Sequence, residues 1–124
     1  MNIDELKNII IEASNNELMP RFQRCQTEVK ADGSLVTEAD FAVQSAIQNA
    51  LKTRWPEYAF LAEEMSADEM NAFFDANPDG FWCLDPLDGT SNFSSGIPYF
   101  AISLAFIQQG EVQLGIVYDP NRDE

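Results

Sequence analysis

At 124 residues, 45% of them hydrophobic, the chain holds enough apolar mass for one core and not for two. A formal charge of −14 without a basic cluster argues against nucleic acid and against anionic membrane surfaces as partners. No histidine occurs, which excludes a Ser-His-Asp triad, a Cys-His pair, a phosphohistidine and a His-ligated zinc, and leaves carboxylates, hydroxyls and backbone groups to do any chemistry.

Ile3, Leu6, Ile10 and Ala13 recur at helical spacing with charged residues between them, so the chain is expected to open with an amphipathic helix. Pro20 should break or kink it. The polar, glycine-containing stretch from Glu28 to Ser34 reads as a mobile link, and Thr37 then offers an N-cap to a second helix. Ala39, Ala42/Val43, Ala46/Ile47 and Ala50/Leu51 give that helix a stripe of small and branched residues that should pack on a sheet and end before Pro56. Asp40 falls in its expected first turn, where the helix dipole alone accounts for a carboxylate.

Ala59-Phe60-Leu61-Ala62 is a short apolar run with the look of a buried strand, and Glu63-Glu64 stand at its end. Ser66-Ala67-Asp68-Glu69 is a capping box that introduces a short helix carrying Met70, Phe73 and Phe74, expected to act as peripheral cover. Trp82 to Leu84 reads as a second buried strand that should stop pairing at Asp85-Pro86. Pro86 pushes Asp85 toward an extended conformation, so that Asp85 and Asp88 can converge, and Gly89 allows a positive φ or close approach of a ligand to bare backbone. Two converging carboxylates repel, and a cation is the simplest relief. An all-oxygen ligand set suits Mg²⁺, Mn²⁺ or Ca²⁺ over zinc. An Asx-turn, with the same carboxylates capping backbone N–H groups, accounts for the fragment equally well. Thr90 and Ser91 follow with hydroxyls and N–H groups of the kind that receive an anion. Two apolar runs, 100–107 and 112–118, flank a short turn containing Gly110 and indicate a β-hairpin.

Asp85-Pro86-Leu87-Asp88-Gly89-Thr90-Ser91-Asn92-Phe93 resembles the signature of the inositol monophosphatase family, Mg²⁺-dependent and often lithium-sensitive phosphatases that also include bisphosphate nucleotidases. Leu35-Val36-Thr37-Glu38-Ala39-Asp40 is similar to the family's upstream motif, and Ala62-Glu63-Glu64 to its Gly-Glu-Glu, with alanine where the family usually has glycine. Gly96-Ile97-Pro98-Tyr99-Phe100 follows in the expected order. The resemblance implies that Glu63, Asp85, the Leu87 carbonyl and Asp88 hold Mg²⁺, with Mn²⁺ as a substitute. It implies that Asp40 and Thr90, with Glu63, position and deprotonate the attacking water, and that Asp88 and the backbone of Gly89, Thr90 and Ser91 hold the phosphate.

The expected fold is α+β, a mainly antiparallel sheet with two long helices on one face, part of the family's layered α/β/α/β/α sandwich. Residues 1–124 correspond to the family's N-terminal metal- and phosphate-binding half. The substrate implied is a small phosphate monoester, foremost inositol monophosphate, with a nucleoside bisphosphate or another sugar or polyol phosphate as alternatives. A non-catalytic module that only folds, dimerises and binds divalent metal is the rival. Because 100–118 is apolar on both strand faces, the chain is expected to form a homodimer or to be aggregation-prone. Cys25 and Cys83 are far apart, and with neither a signal-peptide pattern nor a long apolar span the expectation is a cytoplasmic chain with reduced thiols.

Overall fold

A computed structural model describes residues 2–27, 33–62 and 66–124. The chain opens with helix α1 (Ile3–Ala13), whose first turn is capped by the Asn2 side chain accepting from the Asp4 N–H at 2.9 Å. Leu6, Ile10 and Ala13 are its buried face, as their spacing requires. The helix does not end at Pro20. A π-helical turn (Ser14–Leu18) joins α1 to α2 (Met19–Thr27), with the Met19 N–H reaching back to the Ser14 carbonyl. The wider turn makes room for a proline ring that would otherwise strike the carbonyl four residues back.

Helix α3 (Gly33–Arg54) buries Ala39, Val43, Ile47 and Leu51, one residue per turn along a single stripe. It begins four residues before Thr37, so Thr37 is not its N-cap and Asp40 lies about two turns in, beyond the reach of the helix dipole. Gly33 and Ser34, expected in a loop, are types that helix starts accommodate. The rest of the expected mobile link, 28–32, lies outside the described residues.

Strands β1 (Ala59–Leu61), β2 (Phe81–Asp88), β3 (Ala101–Gln108) and β4 (Glu111–Tyr118) form one sheet in that order. β1 and β2 are parallel, joined across α4 (Ala67–Ala76), and the other two pairs are antiparallel. The fold is thus α+β with a mainly antiparallel sheet, as expected. Helices α1 to α3 cover one face, where Trp82, Leu84, Ile102, Leu104 and Phe106 are buried. The capping box forms, with the Glu69 N–H donating to Ser66 Oγ at 3.2 Å. Its helix covers one end of the opposite face, Met70, Phe73 and Phe74 packing on Leu61, Phe81 and Ile107.

The β3–β4 turn has positive φ at both Gln109 (54°) and Gly110 (76°), as a two-residue type I′ hairpin needs. Burial of the hairpin is unequal. β3 is packed, whereas β4 is an edge strand with Val112 67% and Val117 68% exposed. Among the described residues no helix is long and apolar enough to cross a membrane.

Candidate active site

β2 does not stop at Asp85-Pro86. It continues to Asp88 through a bulge, because Asp85 pairs with Ser103 and Asp88 with Ala101, three steps along β2 against two along β3. Pro86, which has no N–H to give the ladder, is accommodated where the register breaks. The extra residue has a direct chemical consequence. Positions three apart on a regular strand face opposite sides, but partners two apart on β3 share a side, so the bulge puts Asp85 and Asp88 on the same face. Pro86 and Leu87 are buried while both aspartates are exposed.

A cleft of about 390 Å³ lies over this bulge, lined by Asp40 and Gln44 from α3, Ala62 after β1, Pro86 and Leu87 with the two aspartates from β2, and Gly89 and Thr90. Asp40, half-buried, has its pKa raised first by burial and then by the negative charge of Asp85. The same two causes push the Cys83 thiol up. One Asp85 oxygen accepts the Leu87 N–H at 3.3 Å, so the Asx-type cap is real.

Gly89 is left-handed (φ 95°, ψ 42°) and caps the short helix α5 (Thr90–Ser94). A Cβ there would stand 2.9 Å from the Tyr99 carbonyl oxygen and 3.2 Å from Phe100 Cα, so only glycine fits. Asn92 Nδ2 donates to that same Tyr99 carbonyl at 2.8 Å, tying α5 to the loop before β3. Phe93, fully buried, packs edge-on against Phe100 at 5.1 Å and anchors α5 from below.

The structure therefore gathers Asp40, Asp85, Leu87, Asp88, Gly89 and Thr90 around one cleft, with Ser91 exposed in the first turn of α5. Glu63 and Glu64 lie outside the described residues, although the parallel register Leu61↔Cys83 and the presence of Ala62 in the cleft wall bring the end of β1 to the site. Sequence reasoning missed Gln44, whose signal is its spacing: it follows Asp40 by four positions on the same helix. Among the described residues no three acidic, cysteine or histidine side chains are grouped so that they could hold a metal ion. The oxygen donors that are present fit a hard divalent cation, and the charge of Asp85 acting on Asp40 is the electrostatic imbalance such a cation relieves.

The sequence pattern of the Inositol monophosphatase family matches residues 3–124. The chain belongs to that family. Members similar to it include the Nus factor SuhB of Pasteurella multocida, 34% identical over 98% of this chain and 46% of that protein, and the inositol-1-monophosphatase of Mesorhizobium japonicum, 39% identical over 82% of this chain and 36% of that protein. Among solved structures, the IMPase of Thermotoga maritima superposes with a TM-score of 0.75 at 31% identity, over 98% of this chain and 45% of that one. The chain thus spans less than half the length of these relatives, and it shares their fold over nearly all of its own.

Proposed function

We propose that the cleft hydrolyses a small phosphate monoester, foremost inositol monophosphate, with the help of Mg²⁺. The observation that carries this reading is the juxtaposition of Asp40, Asp85, Asp88 and Thr90 around one open cleft in a chain of the inositol monophosphatase family. Asp85, Asp88, the Leu87 carbonyl and Glu63 would hold the cation. Bound there, Mg²⁺ supplies neutralisation of phosphate charge and a nucleophile acidic enough to form near neutral pH. Asp40 accepts the proton of the attacking water. Its half-buried carboxyl, with a raised pKa, is a better base than an ordinary aspartate. The Thr90 hydroxyl orients the same water, and the first-turn N–H groups of α5, which have no partner within the helix, face the phosphate oxygens together with the bare backbone of Gly89. A net charge of −14 supports a small-molecule substrate over nucleic acid.

The exposed valines of β4 favour a second reading, a non-catalytic module that binds divalent metal and self-associates. Phosphate release from inositol monophosphate, followed with and without Mg²⁺ in wild type and in Asp85→Asn, separates the two. Release that needs both the metal and Asp85 supports the phosphatase. Metal binding with no release supports the module.

A further inference from the structure

Two neighbouring residues of α2 each reach an element that carries a site residue. Arg21 Nε donates to Glu38 Oε2 at 3.1 Å, and Glu38 stands two positions before Asp40 on α3. Its Nη1 also holds the Glu17 carbonyl at 2.7 Å and the Glu17 carboxylate at 3.1 Å, which fixes the guanidinium to the π turn. Arg24 Nη1 approaches the same Glu38 oxygen at 3.5 Å. Phe22, 2% exposed, packs against both Phe93 of α5 and Phe100, with ring centroids 5.5 and 4.7 Å away. A regular helix would not arrive in this orientation. The inserted residue of a π turn rotates everything after it by roughly 100° relative to an uninterrupted α-helix.

We propose that α2 is a brace aimed by the π turn, which sets where Asp40 stands relative to Thr90, and that Arg21 is a positioning residue acting on Asp40 through Glu38. This rests on the reading of the cleft as a cation site, in which the Asp40 carboxylate holds no metal itself but adds its charge to that of Asp85, so that Mn²⁺ affinity reports where Asp40 stands. Ion pairs of this kind between partly exposed groups are individually weak, and the consequence expected is correspondingly modest. What the pair contributes is orientation. It fixes the outer face of α3 within one turn of a carboxylate that already feels the Asp85 charge.

The test is Mn²⁺ affinity of the chain, read from the spin-resonance signal of the free ion, in wild type, Arg21→Gln, Glu38→Gln, Asp40→Asn and the double variant Arg21→Gln/Asp40→Asn. Glu38 is about half exposed, so its amide variant keeps the fold even if Arg21→Gln does not. Arg21→Gln and Glu38→Gln should each weaken Mn²⁺ binding by about threefold, and Arg21→Gln should add nothing once Asp40 is Asn. Unchanged affinity in both single variants overturns the brace and leaves the site reading standing, as does an equal loss with and without Asp40. No Mn²⁺ binding by folded wild type overturns the site reading itself, and the brace with it.

Discussion

Replacing Gly89 with alanine tests the geometry of the site at its tightest point. At φ 95° an L-residue is strained by about 1–2 kcal/mol. The new Cβ would press on the Tyr99 carbonyl oxygen at 2.9 Å and on Phe100 Cα at 3.2 Å, both backbone atoms that cannot rotate away, which adds an overpacking cost of about 1–3 kcal/mol. The sum, about 2–5 kcal/mol, is a large fraction of what a single domain has to lose. For a chain of this size it corresponds to a fall in Tm of roughly 8–20 °C. Gly115→Ala is the control. It lies in edge strand β4 with no neighbour within 4 Å of a Cβ, and it should change Tm little or raise it slightly. Thermal melts followed by circular dichroism measure both. If Gly89→Ala melts within about 2 °C of wild type, the loop from Tyr99 to Phe100 yields easily, and the claim that only glycine lets α5 start beside Asp88 is wrong.

The Tyr118 hydroxyl donates to Asp123 Oδ1 at 2.7 Å, and burial, then that hydrogen bond, push its pKa up to about 12. A group with a raised folded-state pKa stabilises fully below its unfolded value and loses that contribution as pH rises, so alkaline melts should show stability falling between about pH 10 and pH 12, and Tyr118→Phe should flatten that decline. Lysine at Val112 and Val117 together should leave the melt nearly unchanged and reduce self-association in sedimentation, because both side chains are exposed on an edge strand. Equal sedimentation of the two proteins, with wild type associated, would place the contact elsewhere.

How far the sequence is legible depends on how local the cause is. The stripe Ala39, Val43, Ile47, Leu51 and the box at Ser66–Glu69 are local patterns, and the residues alone disclose both. The π turn before Pro20 and the bulge at Pro86 are hidden from such a reading. A proline announces that regular bonding must fail, but whether the chain breaks, kinks or absorbs it depends on the tertiary contacts available: Phe22 against Phe93 in one case, the β3 ladder in the other. Thr37 is a misleading helix start because the Gly33-Ser34 pair in front of it has the composition of a loop. The turn chemistry of proline and glycine suffices to bring Asp85 and Asp88 together on paper. The actual cause is a parity change along β2, which no local rule encodes. Gln44 carries no charge and so gives no chemical signal, while its place in the cleft follows from helical spacing alone.

The most direct test of the central claim is a thermal melt of the chain and of Asp85→Asn, each with and without millimolar Mg²⁺. Metal present at about 100 times its dissociation constant should stabilise the wild type by about 2.7 kcal/mol, or roughly 10 °C here. Asp85→Asn should lose that shift while melting no lower than wild type without metal, since the change removes the charge that acts on Asp40 and its amide oxygen can still accept the Leu87 N–H. A folded wild type whose melt does not move with Mg²⁺, or an Asp85→Asn variant that unfolds without metal, would contradict a cation site and leave Asp85 as a structural cap.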